Sequence, residues 1–183
     1  FYQRHNVALS TGNETSTNRL SFAYDNDEGI MRYTFNKNLA LHYTGKYQLN
    51  KWVSISEDFV WKNTENRTTA TNEGYTGPIL SAIYMPASAT VYSPFTQSGF
   101  GGTTTEDPAY IAKYGSNFAD IHGDAVNPIN TLSSKNIFNR TNDAWSTTSL
   151  EIGNVIPGLK FVSRFTYNLQ TNYYKQFSPR RDE

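Results

Sequence analysis

The feature that most constrains the fold of this chain is a two-residue alternation of apolar and polar side chains in six separate segments. Successive side chains of a β-strand point to opposite faces of the sheet, so this period indicates strands with one apolar and one polar face. The alternation predicts strands at 5–11, 18–25, 32–48, 52–62, 145–155 and 159–174. We therefore expect an all-β protein.

The second and sixth segments show the pattern most clearly. Leu20, Phe22 and Tyr24 share one face, and Phe161, Phe165 and Tyr167 do the same in the sixth segment. The opposite faces carry polar residues, and those of the six segments include Arg19, His42, Asp58 and Arg164. Glu57 is the exception, because its position places it on the apolar face of the fourth segment.

The connections between the segments differ in length. Short turns are predicted at 12–17, 49–51 and 156–158, a modest one at 26–31, and a loop rich in Gly, Pro, Thr and Asn at 64–143. The chain thus divides into four strands in two hairpins at 1–63, a long loop at 64–143, and a hairpin at 144–183. Longer connections at one end of a sheet and short turns at the other are typical of outer-membrane β-barrels, with the long loops extracellular.

Composition excludes several classes of protein. The net charge is zero, so the basic surface expected of a nucleic-acid-binding protein is absent. There is no cysteine, hence no disulfide, thiolate zinc site or cysteine nucleophile. No apolar run reaches the roughly 20 residues of a transmembrane helix, whereas a membrane β-strand needs only about 10 residues with alternating character.

Short motifs, in order along the chain, resemble the barrel region of the SusC/RagA family of TonB-dependent outer-membrane transporters. Residues 4–10 (RHNVALS) are similar to the family's HNVSLSGG strand and turn, with Thr11-Gly12 in place of its Gly-Gly. Residues 20–24 and 27–30 resemble its next strand and loop, and 32–33, 38–39 and 49–53 the following hairpin. Met85-Pro86, Val91-Tyr92, Asn127-Pro128 and residues 156–161 follow in the family's order.

The resemblance implies a 22-stranded antiparallel transmembrane β-barrel in the outer membrane of a Gram-negative bacterium. It implies active import of oligosaccharides, or of peptides, driven through TonB and a plug domain, together with a SusD-like surface lipoprotein. The family's signal peptide, TonB box, plug and aromatic C-terminal strand have no counterpart in this sequence. We therefore expect an internal segment of about a quarter of the barrel, which should not fold alone because its edge strands are unpaired.

Two groups of side chains are the candidate site residues. Aromatic residues in the long loop suit stacking on sugars, and we expect them to contact ligand or lid: Tyr75, Tyr84, Tyr92, Phe95, Phe100, Tyr110 and Tyr114. An ordinary self-packed loop core is the alternative for each of them. The second group, Arg19, His42, Asp58 and Arg164, should face the barrel lumen or the plug.

Other functions have less support in the sequence. The three histidines, His5, His42 and His122, have no metal-ligand spacing, and no nucleophile motif is present, so we expect no enzyme activity, metal or cofactor. The main alternative is a secreted, soluble β-sandwich that binds carbohydrate. A siderophore-type TonB-dependent receptor and a glycan-degrading enzyme are further alternatives, and the enzyme would require paired carboxylates at a cleft.

Overall fold

The described residues form a six-stranded antiparallel β-sheet and two short helices in one connection. The computed structural model describes residues 1–69, 77–85, 91–92, 99–101, 126–134 and 136–177. The strands are β1 (Tyr2–Gly12), β2 (Ser16–Glu28), β3 (Phe35–Gln48), β4 (Val53–Thr68), β5 (Asn136–Gly153) and β6 (Lys160–Phe177). The helices are α1 (Pro78–Tyr84) and α2 (Pro128–Ser134). The all-β prediction and the presence of six strands are confirmed.

The strands follow one another in the sheet in their order along the chain, β1 to β6. Ser10 in β1 lies opposite Arg19 in β2, and Arg19 lies opposite Thr44 in β3. Strands β1 and β6 are the two edges of this sheet, which is not closed. Each hairpin brings neighbouring segments together, which accounts for an order without crossovers.

Strands β4 and β5 extend further than their apolar alternation. The predicted loop boundaries at 64 and 143 are wrong, since β4 continues to Thr68 and β5 begins at Asn136. Polar pairs join the extensions: Asn63 Nδ2 donates to Asn142 Oδ1 at 2.6 Å, and Arg140 lies 2.5 Å from Glu65. Alternation of apolar residues therefore ends before the backbone hydrogen bonding of the strands does.

The turns also differ in detail from the prediction. Strand β3 begins at Phe35 rather than at residue 32, because Tyr33 has a φ of 67°, which no extended strand accommodates. Similarly, β5 ends at Gly153, before Asn154 with a φ of 62°. The connections at 29–34 and 154–159 are consequently of equal length. Among the five connections, only 69–135 makes one end of the sheet more elaborate than the other.

Asparagine side chains organise two of the turns. Asn13 Oδ1 accepts hydrogen bonds from the backbone N–H groups of Thr15 and Ser16, at 2.9 and 2.8 Å. Asn50 Oδ1 accepts in the same way from Trp52 and Val53, at 2.8 and 3.0 Å. Such Asx turns satisfy backbone donors that the strand ladder cannot reach, and they fix the register of the hairpins.

The two faces of the sheet differ in chemistry and in shape. One face is polar and concave: a space of about 1030 Å³ is lined by residues from all six strands, among them Ser10, Arg19 and Arg164. A single sheet presents six strands to one concavity only if it curves toward that face. The other face carries most of the large apolar side chains, and we call it the apolar face.

Side chains of the apolar face are largely uncovered. Phe22 and Leu20 in β2 are 43% and 44% exposed, and Phe165 in β6 is 69% exposed. The described residues contain one sheet, so they provide no second sheet that packs on these side chains. Two stacked sheets, the arrangement of the β-sandwich alternative, are not present in this part of the chain.

The described residues of the 69–135 connection belong to a second compact unit. Helix α1 begins at Pro78, whose fixed φ and missing N–H suit the first turn of a helix, and it packs against α2. None of the helices in the described ranges is long and apolar enough to cross a membrane.

Gly45 in β3 allows two tyrosines to close over the backbone. A Cβ at this position would lie 2.5 Å from Tyr43 Oη and 3.1 Å from Tyr47 Cε2. Both hydroxyls donate to Asn18 Oδ1, at 2.8 and 2.5 Å, so the rings cannot move without loss of these bonds. The packing of Tyr43 and Tyr47 therefore requires a residue without a Cβ at position 45.

We predict that Gly45→Ala lowers the free energy of unfolding by about 1–3 kcal/mol, because the added methyl group displaces both tyrosines. Gly153→Ala is the matched control, since its nearest neighbour would be Lys160 Cγ at an ordinary 3.9 Å. The control should leave stability within about 0.5 kcal/mol. Thermal or denaturant unfolding of both variants measures this, and equal stabilities would contradict the packing role of Gly45.

Candidate functional site

The concave polar surface is the best-defined candidate site of the sheet. Its lining contains hydroxyl groups from all six strands and three cations, Arg19, Lys46 and Arg164. The only large ring in the lining is that of Trp145 in β5. Hydroxyls, cations and one aromatic ring form a surface that can hydrogen-bond a polar ligand and stack on it.

The hydroxyls of β5 and β6 form a ladder across the concave polar surface. Thr147 Oγ1 and Thr166 Oγ1 are 3.1 Å apart, and Arg164 Nε donates to Ser149 Oγ at 3.3 Å. At the end of the ladder, Lys160 Nζ lies 2.8 Å from Glu151 Oε1. These contacts join β5 to β6 along the polar face, and Thr147, Ser149, Arg164 and Thr166 line the concavity.

One histidine–carboxylate contact and one ion pair lie on the same face. His42 Nε2 lies 3.0 Å from Asp58 Oδ1, and Arg4 Nε lies 2.5 Å from Asp25 Oδ1. Side chains of the His42–Asp58 pair are 46% and 55% exposed, so water screens it and it contributes little to stability. The contact joins β3 to β4 on the polar face.

The structure brings together the four residues expected on one polar face. Arg19, Asp58 and Arg164 line the same concavity, and His42 contacts it through Asp58. Trp145 and Lys46 belong to the same surface but were missed by the sequence analysis. The strand period predicts both positions, because Trp145 lies two residues from Thr147 and Lys46 lies two residues from Thr44, on the same face of the sheet.

Glu57 lies on the apolar face, as its position in the alternation predicts, and it has partners there. Ser146 Oγ and Thr148 Oγ1 donate to its two carboxylate oxygens at 2.5 and 2.6 Å. The strand β5 therefore supplies two hydroxyls to one carboxylate, which lowers the cost of a charge among apolar neighbours. Sequence alone gives no signal for this pairing, since the residues are about ninety positions apart.

Of the loop aromatics, the structure describes three. Tyr84 at the end of α1 is 54% exposed, and Tyr92 is 65% exposed. Tyr92 and Phe100 form an isolated antiparallel bridge, with ring centroids 5.5 Å apart and planes tilted by 33°. Four of the predicted contacts lie outside the described residues: Tyr75, Phe95, Tyr110 and Tyr114.

Asn127 holds the described part of the second unit together. Its side-chain Nδ2 donates to the carbonyls of Val91 and Gly101 at 2.9 and 2.7 Å, which flank the Tyr92–Phe100 bridge. Its Oδ1 accepts from the N–H groups of Ile129 and Asn130, as a helix N-cap does. Asn127 is 1% exposed, so these four bonds are shielded from water.

In the sequence, Asn127-Pro128 is part of the family resemblance and has no predicted structural role. An Asn directly before a Pro is a helix-start signal, because the Asn caps the helix and the Pro occupies its first turn. That signal predicts the cap. It does not predict the bonds to Val91 and Gly101, which depend on tertiary contacts.

In the described ranges, no three His, Asp or Glu side chains are close enough to hold a metal ion. Asp25, in the acidic segment 25–28, forms its ion pair with Arg4. The chemistry that the concave polar surface can perform with its own groups is recognition, by hydrogen bonds, positive charge and one aromatic ring.

No protein-family model matches this sequence, and no curated protein matches it. The resemblance to SusC-like transporters therefore rests on the short motifs alone.

We predict that Asn127→Asp accelerates proteolytic cleavage within residues 77–134 by roughly 30-fold. The substitution keeps the acceptor for the helix cap but removes both donors, and each buried carbonyl left unpaired costs about 1–3 kcal/mol. Asn6→Asp, the same change at an exposed position of β1, is the control. Mass spectrometry of the fragments locates the cuts, and equal cleavage rates in the two variants would contradict the role of Asn127.

Proposed function

We propose that this chain forms part of a 22-stranded outer-membrane β-barrel, belonging to a TonB-dependent importer of oligosaccharides or peptides. The observation that carries the proposal is the opposite character of the two sheet faces. The apolar face is uncovered, and the polar face is concave. A barrel in a membrane needs this combination, with lipid outside and water or a plug inside.

The exposed apolar side chains support a lipid partner. They include Val7, Leu9, Phe22, Phe161, Phe165 and Tyr167, which lie on strands at both edges of the sheet as well as inside it. Soluble monomers rarely expose a contiguous apolar patch of more than a few hundred Å². Hydrocarbon is the environment in which so wide a surface costs no free energy.

The edges of the sheet also support a larger assembly. Strands β1 and β6 are exposed along their whole lengths except at Gln3. Unpaired N–H and C=O groups are costly in a membrane, where no water reaches them. Further strands that pair with β1 and β6 would satisfy these groups and close the barrel.

In this proposal the connection at 69–135 lies on the extracellular side and contacts a SusD-like surface lipoprotein, the ligand, or both. Tyr84, Tyr92 and Phe100 are the described aromatic residues that suit such contacts. The turns at 13–15, 49–52 and 154–159 then lie on the periplasmic side. TonB acts through a plug domain that the six strands do not contain.

We predict that Phe22→Arg reduces the amount of folded protein in the outer membrane, because Arg at the bilayer midplane costs about 2–4 kcal/mol. Ser21→Arg is the matched control: it adds the same side chain to the neighbouring position on the polar face. Heat-modifiable mobility of the membrane fraction in gels measures folding. If Phe22→Arg instead increases the yield of soluble protein, the apolar face does not contact lipid.

We predict that single cysteines in intact cells react with a membrane-impermeant maleimide at Ile83 and Tyr92 but not at Glu14 or Ile156. The chain contains no cysteine of its own, so only the introduced cysteine can react with the maleimide. Ile83, Tyr92 and Ile156 are 69%, 65% and 58% exposed, and differences in labelling therefore report topology rather than burial. Labelling of Glu14→Cys or Ile156→Cys from outside the cell would contradict the proposed orientation and indicate the opposite one.

A further inference from the structure

The lining of the concave polar surface contains more cations than carboxylates. Among the described residues, Arg19 has no hydrogen bond or ion pair, and Arg164 contacts the neutral hydroxyl of Ser149. Lys46 interacts electrostatically with Glu151, which is also paired with Lys160. Of the two acidic residues with atoms in the lining, Asp58 contacts His42, and Glu57 directs its carboxylate to the apolar face, where Ser146 and Thr148 donate to it. Three cations thus share one concavity, and within the described residues neither arginine has a carboxylate partner.

The cations lie on two sides of the concavity. Lys46 in β3 lies opposite Thr17, two residues from Arg19 in β2, whereas Arg164 is in β6. Strands β4 and β5 separate the two groups, and they contribute Ser56, Trp145 and Thr147 to the floor. A ligand that reaches both groups of cations must therefore cross a floor of hydroxyls and one indole ring.

This surface fits a sugar better than a protein segment. A protein segment gains affinity mainly from apolar contacts, and Trp145 is the only large apolar side chain in the lining. A sugar ring can stack on the indole and exchange hydrogen bonds with serine and threonine hydroxyls. Guanidinium groups bind carboxylates through paired, charge-assisted hydrogen bonds.

We propose that the concave polar surface binds an acidic oligosaccharide, whose sugar carboxylates contact Arg19, Lys46 and Arg164 while one ring stacks on Trp145. This inference rests on the proposed function and narrows its substrate class from oligosaccharides or peptides to acidic saccharides. It also gives a role to residues in the sheet rather than to the aromatic residues of the 69–135 connection.

Binding is measured by calorimetry on the protein purified from membranes in detergent. The probes are a tetrasaccharide of galacturonate, the uncharged tetrasaccharide of galactose, and a tetraglutamate peptide. We expect the galacturonate to bind best and to lose affinity at high salt, and the galactose to be insensitive to salt. Equal affinities for the two saccharides, or tighter binding of the peptide, would overturn the inference.

The double variant Arg19→Gln/Arg164→Gln should weaken galacturonate binding by roughly a hundredfold, since each charged hydrogen bond that is lost costs about tenfold or more. Lys62→Gln is the control, because it removes a cation of β4 that does not line the concavity, and it should change affinity less than about twofold. Circular dichroism verifies the sheet in each variant, and the salt dependence of the unaltered protein tests the inference even if a variant does not fold.

The outcomes separate this inference from the proposed function. The protein could lie in the outer membrane and import saccharides but bind the galacturonate tetrasaccharide no better than the galactose tetrasaccharide. In that case the acidic-saccharide inference is wrong and the proposed importer function is retained. If the protein is soluble without detergent, the importer is wrong, and the same calorimetry in plain buffer still tests the acidic-saccharide site.

Discussion

The structure depends on one constraint: a single sheet must present its two faces to two different environments. Backbone hydrogen bonds join six strands in chain order, and the side-chain period of two then gives every strand one apolar and one polar face. Curvature toward the polar face collects hydroxyls and cations from six strands in one concavity. The same curvature spreads the apolar side chains over the outside, where water is an unfavourable neighbour.

Polar groups on the apolar face show how the sheet tolerates exceptions. The carboxylate of Glu57 receives two hydroxyl donors, and the hydroxyls of Tyr43 and Tyr47 converge on one oxygen of Asn18. These groups are internally paired, whereas Asn26 Oδ1 on the same face is buried without a hydrogen-bond partner. Gly45 has a place in this arrangement, since only a residue without Cβ leaves room for both tyrosine rings.

The connection at 69–135 uses a different kind of organisation. Its described part contains two seven-residue helices, and a buried asparagine joins the backbone on either side of an aromatic bridge to the start of α2. In its described part, the fully buried side chains are the polar ones of Asn127, Thr131 and Ser81, and Asn127 makes four hydrogen bonds. Tyr92 and Tyr84 lie largely exposed in this described part.

The sequence by itself determined that there are six strands and which side chains share a face, because a period of two is a local property of the strand backbone. Arg19, His42, Asp58 and Arg164 could be assigned to one polar face for this reason. Tertiary structure alone decided that the sheet curves toward that face, that Glu57 has partners in β5, and that β4 and β5 extend to Thr68 and Asn136. Contacts between residues far apart in the chain decide these features, and no local pattern records such contacts.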